Sequence, residues 1–358
     1  MKKIGIIGTN GLPGRYGGWD QLLEHLTLAL SIDNEVIVYT SSYNAVKDLK
    51  VYNGAKLKII PLKANGFQSI LYDGLSMLHA AMYYDTLLIL GTSGCIFLPI
   101  IRLFRKNIIL NPDGAEWKRG KWNPFVKWFL KKSESIGIIF SDKVIADNKI
   151  IQDYIYDEYK IKSHLIAYGG DNAKFVALTK ETKEKYDISE ESYAFKVCRI
   201  EPENNIDLIL EAFKDLNHKL ILIGNWNFSN YGVNLRNNYS KYKNLLLLDP
   251  IYHQATLDEL RSNCGIYVHG HSVGGTNPSL VEAMNLGLCC VVFDVDYNRE
   301  TTEGKALYFK NSDELKSLIE VIGKKNLDVS RIKEEMFSIA NKRYTWSKII
   351  SQYQLLLK

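Results

Sequence analysis

The sequence is poor in cysteine and proline, with five Cys and eight Pro in 358 residues. Cys95, Cys198, Cys264, Cys289 and Cys290 show no C-x-x-C spacing and stand among apolar residues. That pattern fits thiols used as small core side chains in a reducing compartment, not a disulfide framework or a zinc site. Low-complexity segments are absent, and no apolar run is long and unbroken enough to span a bilayer. The most apolar stretch, residues 86–103, is interrupted by glycines, a proline and an arginine, and reads as a buried strand followed by a helix. The opening MKKIGIIGTNG has a short basic head but runs into glycines without a small-residue cleavage site, so it reads as a first strand and the expected location is cytoplasmic. A large excess of one charge is also missing. The net charge of +5 argues for anionic small molecules or a lipid surface and against a dedicated nucleic-acid binder.

What is present is alternation. With 46% hydrophobic and 24% charged residues, the chain is globular and long enough for two cores. Short β-branched runs (KIGIIG, EVIVYT, LKIIPL, TLLILG, NIILN, SDKVIAD, HLIAYGG) alternate with helical patterns, the first around Gln21 to Leu30. This predicts a parallel sheet covered on both faces and closing near Asp171. A polar segment from Ala173 to Tyr193 reads as a linker. A second alternation follows: AFKVCRI, KLILIG, NLLLLD, GIYVHG and CCVVFD, with helices starting near Asn205, Thr256, Pro278 and Asp313. The expectation is an α/β protein of two doubly wound, Rossmann-like domains, residues 1–172 and 173–342, with a helix at about 343–358 returning to the first. Ligands of such folds bind outside the carboxyl ends of the strands, so the site is expected in a cleft shared by both domains.

Three segments carry chemistry. The loop GTNGLPGRYGG (8–18) follows a strand and opens a helix, so its amides, including those of Gly17 and Gly18, suit a phosphate or a sugar hydroxyl. Its glycines do not follow G-x-G-x-x-G, and the second strand ends in hydroxyl residues without an acid for an adenosine ribose, which disfavours NAD. In HGHSVGGTNPSLVEAM, Gly274 and Gly275 allow close backbone approach and Thr276, Asn277, Pro278 and Ser279 suit a helix start. Glu282, one turn on, can accept from two ribose hydroxyls; the plainer alternative is a solvated helix glutamate. Arg199 ends its strand where a cation reaches a diphosphate, the alternative being an ion pair with Glu201 or Glu203. Asn204 and Asn205 add neutral donors. Asp113 is a candidate for hydroxyl binding or proton handling, or simply a turn residue before Gly114. His269 and His271 flank a glycine loop and lack metal-pair spacing, so they read as cleft lining.

The runs R-I-x-P-E-N-N-I-D-L-I-L-E-A-F and G-G-T-N-P-S-L-V-E-A-M, about eighty residues apart, resemble the retaining GT-B glycosyltransferases of group 1 across both domains. GTNGLPGRYGGWDQLLEHL and NPDGAEWKRGKW resemble, within that family, the rhamnosyltransferases of capsule and surface-polysaccharide assembly that use dTDP-L-rhamnose. The resemblance implies a nucleotide-sugar donor held by Gly17, Gly18, Asn204, Gly274 to Ser279 and Glu282, with Arg199, Asp113 and Glu282 as catalytic residues. It also implies an acceptor, a polyprenyl-diphosphate-linked saccharide, against Arg15, Tyr16, Asp20, Glu116 and Arg119. No D-x-D is placed for a metal, so no metal or other cofactor is expected. Many relatives carry a Glu eight positions before Glu282, a Lys beside the diphosphate Arg and a His that meets the donor 6-hydroxyl. Here Gly274, Asn204 and Asp113 take those places, and a 6-deoxy sugar has no such hydroxyl. The aromatic-basic stretch 117–132 suits peripheral contact with an anionic membrane, or else ordinary packing on its own domain. A UDP- or GDP-sugar donor, a sugar-nucleotide epimerase of the same fold, and a noncatalytic sugar-nucleotide binder stay open as alternatives.

Overall fold

The structure, a computed structural model, describes residues 1–14, 17–120, 122–324 and 327–357. The chain forms two compact units: residues 1–167 joined by 347–358, and residues 168–346.

In the first unit the strands are β1 (Lys3–Ile7), β2 (Glu35–Ser41), β3 (Val51–Tyr52), β4 (Ala55–Ile60), β5 (Thr86–Leu90), β6 (Asn107–Asn111), β7 (Lys143–Ala146) and β8 (His164–Leu165). They line up as β3-β4-β2-β1-β5-β6-β7-β8. Every pair is parallel except β3 with β4. All five residues of β5 are buried, as a strand covered on both faces requires. The hairpin was not anticipated. It turns on Asn53 and Gly54, both at positive φ (49° and 78°), the left-handed pair that a tight turn between twisted strands demands.

The second unit contains β9 (Tyr193–Val197), β10 (Lys219–Ile223), β11 (Leu245–Leu248), β12 (Ile266–His269), β13 (Cys290–Phe293) and β14 (Leu307–Phe309), ordered β11-β10-β9-β12-β13-β14 and all parallel. Its core sets Ile206, Ile209, Leu210 and Phe213, one face of the helix Ile206–Phe213, against Leu220, Leu222 and Val268 of the sheet. Strand order reverses at β1/β5 in the first unit and at β9/β12 in the second, and there two successive loops diverge to opposite sides and leave a crevice.

Three expectations need correction. The segment from Ala173 to Tyr193 is no free linker: it lies inside the second unit and contains the helix Lys180–Tyr186. Its polar residues have fixed partners, since the Val176 amide donates to Ser262 Oγ (3.1 Å) and the Thr179 amide to Glu259 Oε1 (2.7 Å). HLIAYGG pairs over only two residues. After β5 the apolar stretch breaks into the short turns Cys95–Phe97, Leu98–Ile101 and Arg102–Phe104, because Gly94 and Pro99 punctuate it. The helix Trp346–Leu357 joins the first unit from Ser347 onward, where Lys143 Nζ donates to the Leu356 carbonyl (2.5 Å) and Lys2 Nζ to that of Leu357 (3.2 Å). Among the described residues no helix is long and apolar enough to cross a membrane.

Candidate functional site

In the second unit, the residues singled out from the sequence gather at the β9/β12 reversal. Arg199 follows β9, with a side chain 36% exposed and Nη1 3.6 Å from Glu201 Oε2. Hence the ion pair held as its alternative is present, at a length that leaves other guanidinium donors to a ligand. Asn204 is buried, and its Nδ2 donates to the Arg199 carbonyl (2.9 Å) while its Oδ1 faces His271 Nδ1 (3.1 Å). It therefore ties the loop after β9 to the loop after β12 and is no free donor. Asn205 reinforces the tie through Nδ2 to the Gly270 carbonyl (2.8 Å), as does the Ser272 amide to the Glu203 carbonyl (2.9 Å).

The glycine loop then leads into the helix Pro278–Asn285. Gly274 lies at φ 121°, open to glycine at little cost. Asn277 caps the helix, its Oδ1 accepting from the Ser279 amide (3.1 Å) and hydroxyl (2.8 Å), and Pro278 occupies the first turn where its missing N–H costs nothing. Thr276 is buried beside them.

Glu282 is not a solvated helix residue: it is 7% exposed. Its Oε1 accepts from Asn172 Nδ2 (2.7 Å) and its Oε2 pairs with Arg261 Nη1. Arg261 is wholly buried and also reaches Asp258 Oδ1 (2.6 Å). Burial works against its charge, but the Glu282 and Asp258 carboxylates outweigh it and raise the guanidinium further. Gly170 passes beneath the same helix so closely that a Cβ there would sit 2.4 Å from the Val281 carbonyl oxygen. Asn172 and Arg261 were not found in the sequence. A buried Arg inside the helix pattern QATLDELRS carries no local sign of its partner.

Two further buried bases lie near this reversal. His269 is 2% exposed with neither ring nitrogen hydrogen-bonded, and burial, followed by Lys196 and His271, holds it well below the usual histidine range. Lys196 on β9 is 1% exposed, and burial lowers its ammonium.

In the first unit, Gly17 is the N-cap of the helix Gly18–Leu30, at φ 100° and with no side-chain cap hydrogen bond. Gly14 donates from its amide to Glu24 Oε1 (2.7 Å) and packs on Asp20. Asp20 is 3% exposed, under the loop and away from the surface expected of an acceptor contact. Arg15 and Tyr16, expected beside it, lie outside the described residues. Beyond β6, Asp113 adopts φ 66°, the turn conformation, and its amide donates to Asn111 Oδ1 (3.1 Å). Arg119 is buried, joined to Glu116 Oε2 (2.6 Å) and 3.9 Å from Asp113 Oδ2. Glu116 also accepts from Trp122 Nε1 (3.2 Å). These three expected residues thus form one charged loop. Among the described residues no group of three or more His, Cys, Asp or Glu converges as metal ligands.

The aromatic-basic stretch divides. Trp117 packs inward, its Nε1 donating to Tyr154 (3.2 Å) with Lys131 over its ring at 4.7 Å, while Phe125 and Trp128 stack on each other in solvent.

Two Rossmann-like α/β units with parallel sheets define the GT-B class. Known structures share this fold over the whole chain. Sucrose-phosphate synthase from Thermosynechococcus elongatus is 15% identical with a TM-score of 0.80, covering 100% of this chain and 98% of that one. Alr3699/HepE of Anabaena, solved with UDP-glucose, is 15% identical at 0.81, covering 100% and 99%. Trehalose 6-phosphate synthase from Burkholderia multivorans is 10% identical at 0.71, covering 100% and 96%. Curated protein sequences give no match. Residues 1–171 match the family described as a domain of unknown function, DUF1972. Residues 179–335 match glycosyl transferases group 1, so the second unit carries a group 1 glycosyltransferase domain, within a chain whose two units have the GT-B fold.

Proposed function

We propose that the protein transfers a sugar with retention from a nucleoside diphosphate sugar, dTDP-L-rhamnose in the first instance, to a polyprenyl-diphosphate-linked saccharide. The transfer would take place at the cytoplasmic face of a membrane and without a metal. The observation that carries donor binding is the junction at β9/β12, where Asn204 and His271 join the Arg199 loop to the glycine loop and Arg261 and Asn172 orient the buried Glu282. A nucleotide sugar also occupies the solved Anabaena relative.

Arg199 neutralises charge on the departing diphosphate, and amides at the Asn277-capped helix start and at Gly17 and Gly18 assist it. Glu282, held from beneath, presents its carboxylate to the ribose hydroxyls. The bond from the anomeric carbon to the leaving phosphate oxygen breaks as the acceptor oxygen bonds to that carbon on the same face. The leaving oxygen takes the acceptor proton, so no protein nucleophile is required. Asp113, on the loop with Glu116 and Arg119, orients a sugar hydroxyl. Rhamnose follows from the two N-terminal motifs and from the lack of a histidine for a 6-hydroxyl. The exposed Phe125 and Trp128 beside Lys127 and Lys132 supply membrane contact.

A thermal-shift panel of dTDP, UDP, GDP, dTDP-L-rhamnose, UDP-glucose and NAD tests the donor, because a ligand that binds only the folded state raises the melting temperature. Stabilisation by dTDP compounds is expected. A response to UDP or GDP compounds alone removes rhamnose, and a response to NAD alone removes the transferase reading. Product NMR with a lipid-linked acceptor then reads the anomeric configuration, and an inverted product rules out the front-face route.

A further inference from the structure

The helix Gln68–Tyr83 is inside out. Its buried face carries Ser69, Tyr72, Asp73 and Ser76 along with Met77, Ala80 and Ala81. Its solvent face carries Leu71 (56% exposed), Leu75 (50%), Leu78 (39%) and Met82 (50%). These four recur at i, i+4, i+7 and i+11, one continuous stripe. The only acid in the helix, Asp73, is buried, and its sequence has no lysine or arginine. A soluble helix on a sheet shows the opposite pattern, so this stripe needs a partner.

The stripe does not stand alone. β5 lies across β1 from β4, so the helices after β4, β5 and β6 all pass on one side of the sheet by right-handed crossover. The turns at 95–104 pack directly on the inverted helix: a Cβ on Gly74 would lie 2.6 Å from the Phe97 ring. They add Ile100 (57% exposed) and Leu103 (78%) to the same layer. Helix Pro124–Phe140 follows beside them, with Gly137 against Cys95.

Charge on this layer is predominantly positive, the exposed acids at its border being Asp85 and Asp142, the latter paired with Arg102. The acids within residues 68–83, 95–104 and 124–140 are Asp73 and Glu134, and both are buried. Arg105, Lys106, Lys127 and Lys132 rim the layer, and among the described residues none of them is paired with a carboxylate. Two copies of such a face would bring like charges together, whereas leucines ringed by unpaired cations complement an anionic bilayer, the leucines entering the acyl boundary and the cations meeting phosphates.

We infer that the solvent face of helix Gln68–Tyr83, continued by Ile100 and Leu103, is the main docking surface of this protein on anionic phospholipid bilayers. This rests on the membrane-side reading above but moves the principal contact away from the 117–132 stretch, with Phe125 and Trp128 at its border.

The test is flotation of the full chain with phosphatidylcholine vesicles, pure or containing ~30 mol% phosphatidylglycerol, free of any sugar acceptor. Binding to the anionic vesicles alone is expected, with release at high salt. The double variant Leu71→Glu, Leu75→Glu should lower the partition coefficient roughly tenfold or more, and its thermal melt should match wild type because both positions are exposed. Phe125→Glu, Trp128→Glu should lower it less. If the leucine variant floats like wild type while the aromatic variant stays behind, the helix is the wrong surface although membrane binding stands. If wild type does not float at all, both readings fall. Self-association of wild type that the leucine variant abolishes, without flotation, makes the face a protein interface and overturns the proposal. Donor-dependent melting shifts, read separately, report on the transferase whichever way the vesicles turn out.

Discussion

Replacing Asp73 by Asn should make the protein more stable at alkaline pH and leave it nearly unchanged in acid. Asp73 is wholly enclosed beneath the loop after β5, and burial pushes its carboxyl from the ordinary 3.8 up to about 7 even though Ser93 Oγ and the Gly94 amide both donate to it. A carboxyl whose pKa is higher folded than unfolded binds more protons in the folded state between those two values. Its contribution is therefore fully present below about 3.8 and is lost as pH rises through about 7. Roughly three pKa units at 1.36 kcal/mol each put the penalty of the ionised side chain near pH 8 at about 4 kcal/mol. Asn keeps the contacts, with Oδ1 accepting from the Gly94 amide and Nδ2 donating to a rotated Ser93 hydroxyl, and it carries no charge to bury. At 2–4 °C per kcal/mol for a unit of this size, the variant should melt about 10 °C above wild type at pH 8 and alongside it near pH 4. Thermal melts of both proteins across pH 4 to 9 measure this directly. A difference in melting temperature that stays flat with pH, or that favours wild type at pH 8, refutes the assignment of Asp73 as an isolated buried acid.

Arg199→Ala should cut kcat/KM by roughly a hundredfold or more with little change in melting temperature, since the side chain is partly exposed and its one ion pair is long; unchanged turnover would remove it from the diphosphate. Arg261→Met should cost about 3–5 kcal/mol of stability by stranding two buried carboxylates. Combining it with Glu282→Gln should recover part of that loss in urea melts, and strictly additive effects would deny the coupling. Gly170→Ala should raise the donor dissociation constant by displacing the helix that carries Glu282, at about 1–3 kcal/mol in stability, and titration of dTDP-L-rhamnose with unaltered affinity would count against that route.

Much of the architecture was legible because parallel strands buried on both faces leave uninterrupted apolar runs, and TLLIL and CCVVF announce themselves without context. The glycine and hydroxyl residues at 274–279 were equally plain, since a helix start has its own chemistry. What escaped was decided at a distance. Arg261 and Asn172 meet Glu282 across sequence separations that no local pattern encodes. The polar segment after Ala173 looked like a linker because its partners, Ser262 and Glu259, lie some eighty residues on. The Asn53-Gly54 hairpin was a local signal and was passed over, its first strand, Val51–Tyr52, being too short to register as a run. The inverted helix shows the converse. Its apolar period is strong, yet periodicity reports only that one face differs from the other, and the fold decides which of them meets the sheet.

The return of the last helix to the first unit bears on synthesis. Residues 168–346 form an unbroken segment, whereas the first unit is split by the whole of the second. On the ribosome the later segment can finish its core while the earlier one still waits for the carbonyls of Leu356 and Leu357 that receive Lys143 and Lys2. The half that is translated first is thus the half that is completed last, and a ribosome stalled anywhere before those residues emerge leaves it unclosed.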